Sequence, residues 1–158
     1  MMTLVPKHWF SWDFRLKDSV GMPWGEIGLS SWRERGSVTV GDQQYKVSRQ
    51  GLLGPFVLGG PSGELARAVK ESAFRQEFTL TVEGRAYTLK RLSAWRREFA
   101  LCVGDTRLGS VAPEGWLNRR AQVSLPEDMP GWARAFVVWL TLLMWKRDSE
   151  AGAVAAGS

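Results

Sequence analysis

The chain has little of the two residues that most often build covalent or metal frameworks, with one cysteine, Cys102, and one histidine, His8, among 158 residues. A single cysteine excludes an intramolecular disulfide framework, and one histidine cannot complete a Cys/His metal cluster with it. No apolar stretch of about 7 to 15 residues follows the basic start at Lys7, so we expect no secretory signal. These absences favour a reducing, cytoplasmic compartment.

The chain also lacks a recognisable catalytic, metal-binding or phosphate-loop pattern. His8 stands among aromatic residues, where a histidine packs or faces solvent more often than it acts as a general base. Cys102 falls inside an apolar segment, which predicts an inert buried thiol. Ser30, Ser31 and Ser62 have no visible base or orienting acid nearby in the sequence. We therefore expect a protein that is not an enzyme and that needs no cofactor or metal.

The composition favours one globular domain, since 44% of the residues are hydrophobic and can form a sizeable core. There are 21 basic and 16 acidic residues, for a formal net charge of +5. This excess permits weak attraction to anionic lipid or nucleic acid, but scattered basic residues are also typical of the solvated face of a sheet. Nine tryptophans are present, and we expect most of them in the core or at its rim.

Apolar residues alternate with polar ones over most of the chain. In residues 78–82 (FTLTV) the apolar side chains fall on one face, as a half-buried strand requires. Residues 83–85 (EGR) then turn the chain, and residues 87–90 (YTLK) alternate back as the partner strand of a hairpin. Residues 38–47 and 99–111 have the same organisation. The pattern predicts a succession of short antiparallel strands.

The predicted strands contain an internal repeat. A Phe-x-Leu core recurs at residues 14–16, 56–58 and 99–101, at separations of 42 and 43 residues, each time before a glycine-containing turn. A solenoid or a propeller is the usual interpretation of such a period. Neither explains a terminal apolar helix, because stacked repeats are capped by a polar outer face.

Residues 132–145 (WARAFVVWLTLLMW) are apolar around the whole helix circumference, and only Arg134 is charged. A helix over these residues is shorter than the roughly 20 apolar residues that a bilayer core requires. A helix that lies on a membrane needs a strongly polar face, whereas only Thr141 interrupts this one. The pattern favours a helix buried inside the protein, with a transmembrane tail anchor as the alternative.

A helix that is buried on all sides must be surrounded by the rest of the protein, and only the strands are available to surround it. We therefore predict a mainly β fold, a closed barrel of about twelve short strands around a buried hydrophobic C-terminal helix. Residues 1–148 would form this single domain, with the helix at about residues 132–147. Residues 149–158 (SEAGAVAAGS) are small and polar enough to predict a flexible tail.

Residues 56–68 (FVLGGPSGELARA) combine a strand, a glycine-containing turn and a short aliphatic strand. With the Phe-x-Leu repeats and the terminal apolar helix, the chain resembles the Tubby C-terminal-like superfamily over about residues 12–147. That group includes the phospholipid scramblases and the LURP-one-related proteins. The resemblance implies a twelve-stranded barrel around a central helix, and binding to phosphoinositides or association with membranes. We find no acidic loop with calcium-ligand spacing and no position that matches a phosphoinositide ligand.

The densest basic segment is residues 90–97 (KRLSAWRR), and a smaller basic pair follows Trp116. Arginines around an exposed aromatic would suit an anionic headgroup or a nucleic-acid backbone, because guanidinium groups make bidentate contacts with phosphate. Alternatively, the segment is a long hairpin connection whose charges protect a sheet edge. The candidate anion-binding residues are Lys90, Arg91, Trp95, Arg96, Arg97, Arg119 and Arg120.

Three functions are compatible with these observations. The favoured one is a non-enzymatic binding module of the Tubby-like type that engages anionic lipid headgroups or a protein partner through a basic surface. The first alternative is a membrane-tethered, scramblase-like protein with the C-terminal helix as its anchor, and the second is a nucleic-acid-binding barrel. We expect no integral membrane span, and a cytoplasmic location that allows peripheral association with a membrane.

Overall fold

The computed structural model describes residues 1–8, 11–30, 32–72, 75–93, 95–115 and 119–157, without the side chains of residues 154–157. Within these ranges the chain forms twelve strands followed by one helix. The strands are β1 (Met2–Pro6), β2 (Asp13–Lys17), β3 (Pro23–Leu29), β4 (Gly36–Val40), β5 (Gln43–Arg49), β6 (Phe56–Gly60), β7 (Gly63–Val69), β8 (Glu77–Val82), β9 (Arg85–Arg91), β10 (Phe99–Val103), β11 (Thr106–Pro113) and β12 (Ala121–Ser124), and the helix is α1 (Gly131–Gly157).

The strands form a closed antiparallel barrel. Each strand pairs with its neighbours in sequence, and β1 pairs with β12 to close the barrel. In β8 the side chains of Phe78, Leu80 and Val82 are buried and that of Thr81 is exposed, as the alternation predicts. The hairpins expected over residues 38–47 and 99–111 are β4–β5 and β10–β11. The prediction of a closed barrel of about twelve strands is confirmed.

The helix α1 lies inside the barrel. Every side chain from residue 135 to residue 145 is at most 3% exposed. The indole N–H groups of Trp139 and Trp145 find partners, since Trp139 Nε1 donates to the Gly28 carbonyl at 3.0 Å and Trp145 Nε1 to the Arg97 carbonyl at 2.7 Å. The buried-helix interpretation is therefore confirmed. Among the described residues, no helix combines the length and apolar character needed to cross a membrane.

The helix is longer than its apolar segment predicts. It begins at Gly131 and continues to Gly157, so the expected end near residue 147 is wrong. The segment that we expected to be a tail is helical up to that residue, with exposed side chains at residues 149–153. Alanine-rich sequence has a high helix propensity, and Lys146 pairs with Glu150 one turn further along the helix. Small residues suggest disorder by their composition alone, but here they continue the helix. The flexibility of the expected tail, residues 149–158, stays a prediction.

The connections between strands alternate between the two ends of the barrel because the strands are antiparallel. At one end, which we call the turn end, the connections are residues 18–22, 41–42, 61–62, 83–84, 104–105 and the segment 125–130 that leads into α1. At the opposite end, the loop end, they are residues 7–12, 30–35, 50–55, 70–76, 92–98 and 114–120. The helix enters the barrel at the turn end and emerges at the loop end. The longest hairpin connections and the exit of α1 therefore share one end.

Candidate functional site

Charge is segregated between the two ends of the barrel. The connections of the loop end contain nine basic residues, Lys7, Arg33, Arg35, Lys70, Arg75, Arg96, Arg97, Arg119 and Arg120, and four acidic ones, Glu34, Glu71, Glu98 and Glu114. Those of the turn end contain six acidic residues, Asp18, Asp42, Glu83, Asp105, Glu127 and Asp128, and no basic residue. The modest net charge of the chain thus conceals a strong separation. The loop-end connections therefore attract an anionic partner more than the turn-end connections do.

Large apolar side chains project from the loop end. Trp32 is 95% exposed, Leu52 90%, Leu53 93% and Trp95 96%. Tryptophan is usually buried for most of its surface, so two fully exposed indoles at one end are informative. At the turn end the corresponding exposed side chains, in the part of the chain that the structure describes, are aliphatic or thioether groups and not aromatic rings: Met1, Val20 and Met22.

The loop that carries Trp32 is closed by its own hydrogen bonds. The Ser30 hydroxyl accepts from the backbone N–H groups of Trp32 and Arg33, at 3.4 and 3.3 Å. The Ser30 N–H donates to the Arg35 carbonyl at 2.9 Å across the base of the loop. A serine in this position mimics a backbone turn. The exposed indole is therefore held out by a defined turn.

Basic side chains brace three other loops from within. Arg49 Nε donates to the Gly54 carbonyl at 3.2 Å, and Lys70 Nζ donates to the Ser72 carbonyl at 2.6 Å. Arg91 Nε donates to two carbonyls of the next loop, those of Ser93 at 3.0 Å and Arg96 at 2.9 Å. These three cations stand at intervals of 21 residues, each where a strand leads into a loop. They fix the shape of the loop end.

Cations outnumber carboxylates where α1 emerges. Glu34 accepts from both Arg49 and Arg147, and Asp148 accepts from Arg91 at 2.9 Å. Burial lowers the pKa of Lys70, and the nearby charges of Arg147 and Arg49 lower it further. The positive charge of this region is therefore only partly compensated by the protein.

The structure separates the predicted residues of the segment 90–97 by role. Trp95 and Arg96 are exposed in the loop. Lys90 is exposed near the end of β9, the strand that leads into this loop. Arg97 lies over the Trp145 ring, 5.0 Å from the ring centre, and burial lowers its pKa. Arg91 is committed to bracing, because it also contacts Gln76 and Asp148. Arg91 is thus a structural residue and not an available anion ligand.

The predicted pair Arg119 and Arg120 lies at the same end but is engaged by the protein. Arg119 donates to the carbonyls of His8, at 2.6 Å, and Ser11. Its guanidinium also lies over the ring of Trp12, and burial lowers its pKa. Arg120 pairs with Glu114 at 3.3 Å. Arg119 thus ties two neighbouring loops together, whereas the ion pair of Arg120 lies within its own loop.

Two clefts open at the loop end. One, of about 290 Å³, is lined by residues 95–98 of one loop together with Ala112, Pro113 and Gly115, so part of the predicted segment does meet the next connection. Arg119 and Arg120 are not among its lining residues. The other cleft, of about 500 Å³, lies between residues 33–35 and residues 48–52. Sequence reasoning missed this second region, including Trp32, Arg33, Arg35, Leu52 and Leu53.

Neither a metal centre nor a known relative adds to this description. Among the described residues, no group of three or more His, Cys, Asp and Glu side chains is placed to hold a metal ion. Cys102 is a buried free thiol, as predicted. The sequence matches no protein-family model, and no curated protein and no solved structure matches it. The resemblance to the Tubby-like group therefore stays a prediction.

Proposed function

We propose that this protein is a non-enzymatic binding module of the Tubby-like type that docks on the surface of an anionic membrane through its loop end. The observation that carries the proposal is the segregation of charge between the connections, with nine basic residues in those of the loop end and six acidic residues without a basic one in those of the turn end. The twelve-stranded barrel around a central helix supports the family assignment. The exposed indoles support a membrane as the partner.

Several loop-end cations are available to a ligand. Arg33, Arg35, Arg75 and Arg96 are exposed, and within the described ranges none of them has a side-chain ion pair. Guanidinium groups bind phosphate through paired N–H donors. Each basic residue close to an anionic leaflet contributes about 1 kcal/mol, and this attraction decays within a Debye length of about 8 Å at physiological salt. Binding should therefore be strong at low salt and weaken as salt is added.

The two alternatives receive less support. The helix that would serve as an anchor fills the barrel, so its withdrawal would leave the inner faces of the strands without their core. A nucleic-acid backbone needs a continuous basic track. At the loop end the cations alternate with apolar tips such as Trp32 and Trp95, which favours a membrane interface.

Vesicle binding with matched charge reversals tests the proposal. Arg33→Glu combined with Arg96→Glu changes two loop-end residues, whereas Arg15→Glu combined with Lys46→Glu makes the same charge change on exposed positions of β2 and β5. We expect the wild type to co-sediment with vesicles that contain phosphatidylserine and not with pure phosphatidylcholine. The loop-end pair should lose at least about ten-fold in partitioning, and the strand pair should lose far less.

Two results would contradict the proposal. One is wild-type protein that does not bind phosphatidylserine vesicles at low salt. The other is an equal loss in both charge-reversed variants, which would mean that net charge and not the loop end attracts the protein.

A further inference from the structure

We propose that the apolar tips of the loop end insert into the interfacial layer of the bilayer, so that the barrel stands on the membrane with the axis of α1 close to the membrane normal. This inference rests on the proposed function and adds the mode of binding and the orientation. The tips are Trp32, Leu52, Leu53 and Trp95, each at least 90% exposed. They project from three separate connections of the loop end.

The positions of these connections define a plane. The β3–β4 and β5–β6 loops are neighbours on the barrel, and the β9–β10 loop is four strands further around it. Three points spread around a closed barrel cannot lie on one line. A flat surface that touches all of them must therefore lie across the end of the barrel and not along its wall.

Each indole is followed by an arginine, Trp32 by Arg33 and Trp95 by Arg96. Indole rings favour the membrane–water interface, where the apolar ring is buried and the N–H remains wet. Arginine keeps its charged group at the level of the headgroups while its methylene stem lies along apolar surface. In each Trp-Arg pair the ring can therefore enter the interfacial layer while the guanidinium group contacts the anionic headgroups.

The tips are ordered before they bind. The turn at Ser30, and the bonds from Arg49 and Arg91 into the loops that follow them, hold the three connections in place. Loops that are already fixed lose less conformational entropy on binding, which leaves more of the burial energy for affinity. Exposed tryptophan on a braced loop otherwise only lowers solubility.

The sequence places an apolar residue at the equivalent point of every loop-end connection. These residues are Phe10, Trp32, Leu53, Phe74, Trp95 and Trp116, at successive intervals of 21 or 22 residues. Phe10, Phe74 and Trp116 lie outside the described residues, so the structural argument uses the other three. Exposed apolar tips on three separate connections suit a flat and laterally fluid surface better than the single contiguous patch that a folded partner buries.

A site-specific fluorescent probe tests insertion directly. Cys102 is buried, so Leu53→Cys in the full chain offers a single accessible thiol for a nitrobenzoxadiazole label. Met22→Cys at the turn end, where the native side chain is also exposed, is the matched control. With phosphatidylserine-containing vesicles, we expect the Leu53→Cys label to shift to the blue and to be quenched by lipids that carry a spin label in the acyl chain. The Met22→Cys label should do neither.

An uncharged double variant separates insertion from electrostatic attraction. Trp32→Ser with Trp95→Ser keeps every charge, and we expect about ten-fold weaker partitioning and loss of the binding that survives high salt. Val20→Ser with Met22→Ser at the turn end should bind as the wild type does. Wild-type binding without a shift of the Leu53→Cys label, or equal binding by the double tryptophan variant, would overturn insertion and leave the proposed function standing. Absence of wild-type binding to any anionic vesicle would overturn both.

Discussion

The two ends of the barrel are made by the same twelve strands but differ in the connections that join them. Four hairpins of the turn end close in two residues, and in three of them Gly41, Gly84 and Gly104 are at positive φ. A glycine adopts this conformation without strain, and it lets a hairpin reverse with the fewest residues. The loop-end connections are six or seven residues long. The loop end therefore has more room for side chains that serve no hairpin than the turn end, whose longest hairpin connection is the five residues 18–22.

The ends also differ in energetic terms. The loop end exposes Trp32 and Trp95 and crowds Lys70 against Arg49 and Arg147. Each of these features is unfavourable for an isolated protein. Local conflict of this kind is characteristic of functional surfaces. The difference therefore supports the proposed role of the loop end more clearly than the net charge of the chain does.

The largest expected effect on stability comes from removing α1, which runs through the barrel from the turn end to the loop end. A chain that ends at Pro130 lacks α1, whose large side chains each contribute roughly 1.5 to 3 kcal/mol on burial. Their combined loss exceeds the net stability of about 5 to 15 kcal/mol of a typical domain. We expect no cooperative unfolding transition by circular dichroism in urea. A soluble 1–130 fragment that melts cooperatively would refute the central role of the helix.

A second test compares one glycine at each end. A Cβ at Gly36, the first residue of β4 at the loop end, would lie 1.9 Å from the Gly28 carbonyl oxygen and 2.7 Å from Trp139 Nε1. Gly36→Ala should therefore lower the free energy of unfolding by about 3 kcal/mol, because backbone has to move. At Gly59, near the turn end, the nearest atom would be 3.9 Å away, so Gly59→Ala should change it by less than about 1 kcal/mol. Urea denaturation measures the free energy of unfolding of both variants. Equal losses of this free energy would contradict the close approach of β3 and β4.

The two ends of β9 provide a third contrast. Arg91, its last residue, bonds to the loop at residues 92–98 and pairs with Asp148, so Arg91→Met should cost about 1 to 2 kcal/mol and speed hydrogen exchange in that loop. Arg85, its first residue, lies over the Tyr87 ring, 5.1 Å from the ring centre, and is exposed. Arg85→Met should cost less than about 0.5 kcal/mol. Similar costs at both positions, or unchanged exchange in the loop, would show that the bracing is unimportant.

The smallest expected effect is a pH dependence at the loop end. Burial and two nearby cations lower the pKa of Lys70, so its charged form is disfavoured in the folded state. That cost is fully present below the lowered pKa and disappears as pH rises past the ordinary value of an unfolded lysine. Lys70→Met removes both this cost and the bond to the Ser72 carbonyl, so the free energy of unfolding should change by less than about 1 kcal/mol at neutral pH. Relative to the wild type, the variant should become less stable as the pH rises past the ordinary lysine value, and Lys46→Met on the strand wall should show no such trend; a difference that does not depend on pH would contradict the crowding.

Much of the fold could be predicted because it depends on local pattern. Alternation in segments such as residues 78–82 located strands, and a helix that was apolar all round required a container. The repeat was found at twice its true length, since the 42-residue period spans two hairpins and Phe78 falls midway between Phe56 and Phe99. The helix end was missed because alanine-rich sequence was interpreted as disorder. In residues 149–157 the small, polar composition favours disorder, whereas the helix propensity of alanine favours a helix. The structure is helical there.

The functional surface was predicted only in part. Residues 90–97 drew attention because their charges are adjacent, whereas Arg33 and Arg35 were missed because their partners at the loop end are distant in sequence. The engagement of Arg119 with His8 is a contact between loops more than 100 residues apart, which no local pattern reveals. The 21-residue spacing of the apolar tips was visible in the sequence. Each connection of six or seven residues between two strands contains one apolar residue of this series in its sequence.

The central claim is that the protein acts through one end, and hydrogen–deuterium exchange of the full chain with and without phosphatidylserine vesicles tests it most directly. We predict slower exchange in residues 30–35, 50–55 and 92–98 on vesicle binding, and unchanged exchange in residues 41–42, 83–84 and 104–105. Protection at the turn end, or protection spread evenly along the strands, would contradict the account.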